Sequence, residues 1–126
     1  MAKFVNKLGA SKSASNLLVL FIPNVDRDGR LIDQERWVLQ ALEMLGATFG
    51  GATAFPKAKG VWRDDTRGGA LVFDEPVVIQ CYTKAVLIEQ RADELRQFLV
   101  AMGRATGQGA VGLVIDRDYL EISFDE

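Results

Sequence analysis

Leu17-Leu18-Val19-Leu20-Phe21-Ile22, closed by Pro23, is a continuous apolar run whose length and Val/Phe/Ile content suit a strand buried on both faces. It reads as the central strand of a sheet. Side chains alternate along a strand, so Leu17, Val19 and Phe21 point opposite to Leu18, Leu20 and Ile22, and Val78 joins the first set. Both faces of the sheet are therefore apolar at its centre.

Downstream of that run, Asp26-Arg27-Asp28-Gly29 makes a turn, and Asp33 is placed to N-cap a helix with Glu35 in its first turn and Gly46 just past its end. Trp37, Val38, Ala41, Leu42 and Leu45 fall on one stripe of that helix. Between Phe49 and Trp62, the residues Gly50, Gly51, Thr53, Pro56 and Gly60 interrupt the regular pattern, which supplies backbone freedom and no reactive group. Gly60–Arg63 and Ala70–Phe73 flank a hairpin loop, and Pro76 bends the chain before a strand resumes at Val77. Beyond Thr83, Ile88, Ala92, Leu95, Leu99 and Met102 predict a second helix ending at Gly103 or Gly107. Val111, Leu113 and Ile115, a turn at Asp116-Arg117-Asp118, and alternating Leu120, Ile122 and Phe124 predict a closing strand pair.

This order predicts an α+β fold, a ferredoxin-like sandwich with two helices on one face of a mainly antiparallel sheet and an extra C-terminal strand. Residues 1–14 read as a flexible N-terminal tail and residues 15–126 as one domain; 126 residues with 48% hydrophobic content suffice for one core. Two helices cover one sheet face only. The uncovered apolar face is expected to be buried against a second copy, as a homodimer, or beneath the final hairpin.

Fifteen basic against 17 acidic residues give a net charge of -2, which argues against nucleic acid and membrane as partners. The lone Cys81 lies in an apolar run and cannot form an internal disulfide; together with the absence of a secretory pattern this predicts a cytoplasmic protein.

Asp28-Gly29 before the first helix, Trp37 within it, Phe49-x-Gly51-x-Thr53, Gly60-x-Trp62, Gln108-x-x-Val111 and Ile122-Ser123-Phe124 form an array spread from Leu17 to Phe124. That array resembles a family of small uncharacterised bacterial proteins, a domain of unknown function with a G-x-T / G-x-W / Q-x-x-V pattern. The family pattern often has leucine before the threonine and glutamate after the tryptophan strand, where this chain has Ala52 and Glu75. The resemblance implies the fold and transfers no catalytic residue.

With no histidine, a Ser-His-Asp or Cys-His nucleophile is excluded, and one cysteine cannot build a Cys/His zinc site within one chain. Asp26, Asp28, Asp33 and Glu35 sit near a glycine, but Arg27, Arg30 and Leu31 spoil the charge and spacing of a calcium loop. Gly107-Gln108-Gly109-Ala110-Val111-Gly112 spells G-x-G-x-x-G, yet it runs from helix to strand, the reverse of the dinucleotide motif. No cofactor and no metal are expected.

Thr53, Trp62, Arg63, Gln80, Tyr82 and Gln108 lie on predicted strands or their ends and form the candidate binding pocket; the competing reading has Trp62 and Tyr82 closing the core edge. The main functional reading is a small non-enzymatic binding or regulatory module acting as a homodimer, with a small molecule or a protein as its further partner. The alternative is a small dimeric ferredoxin-like enzyme that acts on a small organic substrate by carboxylate/Arg acid-base chemistry, through Arg63, Tyr82 or a carboxylate such as Glu75.

Overall fold

The computed structural model describes residues 2–123; Phe124 of the predicted closing alternation lies outside them. Along the chain come α1 (Ala2–Lys7), β1 (Asn16–Ile22), α2 (Gln34–Phe49), β2 (Thr53–Ala54), β3 (Gly60–Asp64), β4 (Ala70–Asp74), β5 (Val77–Thr83), α3 (Ala85–Gln90), α4 (Ala92–Ala105), β6 (Ala110–Ile115) and β7 (Asp118–Ser123). The fold is α+β with a mainly antiparallel sheet. Five strands run in the order β2-β5-β1-β6-β7, with β1 at the centre, and β3 and β4 form a separate two-stranded sheet.

Register explains why β1 is apolar from Leu17 to Ile22. Leu18, Leu20 and Ile22 pair with Cys81, Ile79 and Val77, and Leu18 and Leu20 also pair with Ile115 and Leu113. That face packs on Val38, Ala41, Leu45 and Phe49 of α2 and on Leu95, Leu99 and Met102 of α4. Each of these larger side chains, Ala41 apart, contributes about 1.5–3 kcal/mol when fully buried. On the other face Leu17, Val19 and Phe21 stand opposite Tyr82, Gln80 and Val78, with Val114 and Tyr119 beyond them.

That second face is less bare than its composition implies. Tyr119 swings back across Gly112, where a Cβ would collide with its hydroxyl, and its ring meets Phe21 with centroids 6.5 Å apart. Val19 is buried, while Leu17, Phe21 and Val78 are half-buried. The final hairpin extends the sheet edge in register with β6 and does not fold over the face.

Two helix boundaries differ from the sequence expectation. Gly46 lies within α2, which continues to Phe49 and ends at Gly50 with φ of 101°. An interior glycine costs about 1 kcal/mol, less than the burial of Phe49 returns. Asp33 caps the helix as expected, its carboxylate accepting from Arg36 N at 3.3 Å. The predicted second helix is two pieces, because Arg91 leaves helical geometry at φ -113° between α3 and α4. Leu87 and Ile88 from the first piece and Leu95 and Leu99 from the second all reach the core. Within the predicted tail, α1 buries no residue.

Asp116 closes the β6–β7 turn at φ 58°, the one positive-φ non-glycine among the described residues. Its carboxylate accepts from Leu17 N at 3.0 Å and Asn16 Nδ2 at 2.9 Å, which tethers the turn to the start of β1. The bond from Leu17 N, reinforced by Asn16, holds this carboxyl below its ordinary value of 3.8. A depressed carboxyl contributes stability that is present above its unfolded value and is lost as pH falls through the folded one. Asp116→Asn, which tolerates the left-handed backbone, is expected to melt earlier than the parent at pH 7. In thermal melts across pH 2 to 7 the gap should narrow below about pH 4 as the parent carboxyl protonates.

Candidate functional site

The sheet brings together three of the six expected site residues. Thr53 and Gln80 are cross-strand partners, and Tyr82, two residues on, shares their face. They line a cavity of about 470 Å³ at the end of β5, with Phe49, Thr83 and Lys84. Trp62 and Arg63 stand elsewhere, on β3. That strand pairs only with β4, so alternation in the main sheet places neither of them beside Gln80. Arg63 is spent on the neighbouring Asp65, Nε to Oδ1 2.7 Å, in an exposed pair worth little to stability. Gln108 lies at the other end of the sheet, where its Nε2 donates to Val25 O at 2.8 Å and Thr106 O at 3.1 Å. It fastens the α4–β6 connection to the loop after β1.

A second cavity, about 350 Å³, opens where β4 passes into β5 and is lined by Asn24, Lys59, Gly60, Phe73, Asp74 and Glu75. Its geometry starts in the core. Gln34, first residue of α2 and buried, donates through Nε2 to Ile22 O and to Glu75 O, each at 3.0 Å. Buried Asn24 accepts from Glu75 N at 3.0 Å, and Pro76 O accepts from Ala58 N at 2.9 Å. The segment Asp74-Glu75-Pro76 is thus held from three sides, which fixes the backbone that carries two adjacent carboxylates.

Gly60 leaves room here for the Asp74 side chain. A Cβ there would lie 2.5 Å from Asp74 Oδ1, so the carboxylate occupies the space a side chain would fill. Burial pushes the Asp74 carboxyl above its ordinary value of 3.8, the direction expected when the charged form loses hydration. A cation brought against it would restore the charged form. Lys59 supplies a positive group to the same cavity, and Phe73 an exposed aromatic face.

Sequence reasoning named Glu75 but missed Asn24, Lys59 and Asp74. The available signal was the acidic pair before Pro76, between two strand-like runs. The buried Cys81 thiol is pushed up by desolvation, which makes it a poor nucleophile. Among the described residues no group of three or more His, Cys, Asp or Glu side chains is gathered as metal ligands. Among them, too, no helix is long and apolar enough to cross a membrane.

No protein-family model matches the chain, and no curated protein matches its sequence. Solved structures do match. The chain is similar to a phage SAM lyase in complex with S-methyl-5'-thioadenosine, with a TM-score of 0.67 and 16% identity over 90% of this chain and 92% of that one. It is also similar to a phage SAM lyase in the apo state, with a TM-score of 0.63 and 14% identity over 91% and 94% of the two chains. At these identities the likeness is one of fold.

Proposed function

We propose that the chain is a small lyase that cleaves S-adenosylmethionine to S-methyl-5'-thioadenosine, with the cavity of Asp74 and Glu75 as its substrate site. The observation that carries the reading is charge: of the two cavities, this one presents carboxylates to a cationic sulfonium, whereas the other has Lys84 as its single charged lining group. Lys59 complements the substrate's own carboxylate, and Phe73 offers a face to the sulfonium or the adenine. Near-complete coverage of an enzyme's fold supports this over the non-enzymatic module.

The missing histidine does not count against the reaction. Closure of the substrate's carboxylate oxygen onto Cγ forms a five-membered lactone, while the S–Cγ bond breaks and its electron pair goes to sulfur. Sulfonium and carboxylate charges vanish together, so the step needs orientation and partial desolvation rather than a protein nucleophile or general base. Asp74 and Glu75 hold the cation, and Lys59 guides the carboxylate. The test is chromatographic: the protein incubated with S-adenosylmethionine should yield S-methyl-5'-thioadenosine well above the buffer rate. No excess over buffer would sink the reading.

We also read the core as a ferredoxin-like sandwich extended by β7 and by the inserted β3–β4 hairpin. The order β2-β5-β1-β6 with two helical crossovers supports this. The half-exposed face around Leu17, Phe21 and Val78 supports a homodimer formed sheet to sheet. Light scattering over a dilution series should return twice the 13.9 kDa chain mass, and Phe21→Glu should return the single mass. A parent that is monomeric at every concentration would overturn the dimer.

A further inference from the structure

We propose that Asn24 is a ligand-binding residue of the cavity that holds Asp74 and Glu75, with its side-chain amide N–H groups on the α-carboxylate of the bound molecule. The assignment rests on the lyase reading and names the group that holds the reacting end of the substrate. Asn24 is 9% exposed and lines that cavity. Two bonds fix it: its backbone carbonyl accepts from Ile32 N and its Oδ1 accepts from Glu75 N, each at 3.0 Å. Turning the amide over would set donor against donor at Glu75 N, so Nδ2 is the free end. Its two N–H groups find no acceptor among the described residues. Nor is Nδ2 sealed in, because the one unpaired side-chain atom shut off from water among the buried and half-buried residues described is Thr83 Oγ1. A side chain nine-tenths buried, anchored at one end and open at the other, is a preorganised donor for an acceptor from outside the chain.

The chemistry of the cavity sets what that acceptor is. Nδ2 only donates, and reading an adenine edge with an amide takes Oδ1 as well, which Glu75 N already occupies. A carboxylate is the strongest acceptor for a lone amide donor, and Lys59 brings a positive charge to the same lining. S-adenosylmethionine carries its carboxylate and its sulfonium at the two ends of a short carbon chain, so the carboxylate must lie near the groups that hold the sulfonium. Asn24 meets that demand, since its bond to Glu75 N sets the amide directly against the acidic segment. Lactone closure needs one carboxylate oxygen in line behind Cγ, opposite sulfur. A bond from Nδ2 to the other oxygen fixes the carboxylate plane and leaves the attacking electron pair free, and Asn24 gives up no proton in the step.

Sinefungin is the probe: it bears an ammonium where the substrate has its sulfonium, keeps the carboxylate, and has no bond the reaction can break. Decarboxylated S-adenosylmethionine is its counterpart, with the sulfonium and no carboxylate. In the parent protein, sinefungin should move the Asn24 side-chain NH2 resonances saturably, and the decarboxylated compound should leave them near their free positions. Asn24→Asp keeps an oxygen for Glu75 N and turns the donor into an acceptor. Calorimetry should show it binding sinefungin about tenfold more weakly or worse, and the decarboxylated compound at least as tightly as the parent does. A merely structural role would weaken both ligands, and added negative charge alone would strengthen both. The resonances need no variant, so they decide the matter even if Asn24→Asp does not fold. Asn24 resonances that sinefungin leaves in place or that both ligands move equally, or an Asn24→Asp protein that changes both affinities alike, would overturn the assignment even where the parent cleaves S-adenosylmethionine. A parent that leaves S-adenosylmethionine uncleaved would overturn the lyase reading, and the assignment with it.

Discussion

Glu75→Gln and Asp74→Asn should each lower kcat/KM for S-adenosylmethionine cleavage by about a hundredfold, the scale found when one preorganised electrostatic group is removed from a site. Both substitutions keep the side-chain shape and remove the charge that, on the proposed reading, would face the sulfonium. The Glu75 backbone, through which Asn24 and Gln34 hold the turn, is untouched, so both proteins should melt close to the parent. The pH profile adds an independent readout. Burial raises the Asp74 carboxyl, so its negative charge disappears as pH falls through a value above the ordinary 3.8. Activity should fall on the acid side at that point, and Asp74→Asn should flatten the fall. If both variants turn over at the parental rate, the substrate does not lie between these carboxylates.

The largest effect on stability is expected from Leu20→Ala. Leu20 is 0% exposed, at the centre of the middle strand, flanked by Ile79 and Leu113 and roofed by α2 and α4. Truncating a side chain there loses transfer free energy and leaves a cavity, together about 2–5 kcal/mol. A domain of this size holds only about 5–15 kcal/mol in all. The expected result is a fall in melting temperature of about 10 °C or more, read by circular dichroism. Leu31→Ala is the matched control: Leu31 is 81% exposed, so the same truncation should change stability by about 0.5 kcal/mol or less. Equal shifts for the two would mean that β1 is not the core strand.

Much of this architecture is legible from local chemistry. The six-residue apolar run becomes the central strand, Asp33 becomes the cap of α2, and the Val111/Leu113/Ile115 alternation becomes β6, because each depends on periodicity or on a bond within four residues. The end of α2 is misread at Gly46, where a propensity of about 1 kcal/mol is outweighed by burial of Phe49 against strands far away in sequence. The break at Arg91 carries neither glycine nor proline to announce it.

The candidate sites divide in the same way. Thr53, Gln80 and Tyr82 meet because one strand pairing sets them on a shared face. Arg63 and Gln108 separate from them because the hairpin leaves the main sheet and because helix-to-strand connections sit at its other end. The sequence by itself determined the central strand, the cap of α2, the β6 alternation, the apolar centre, and the absence of histidine and paired-cysteine chemistry, since these need only residue identity and spacing. The tertiary structure alone decided where the carboxylates stand. Asp74 and Glu75 acquire their cavity from Asn24, Gln34, Lys59 and Gly60, up to 51 residues away, through hydrogen bonds and close approaches that the sheet topology creates and that no local periodicity records.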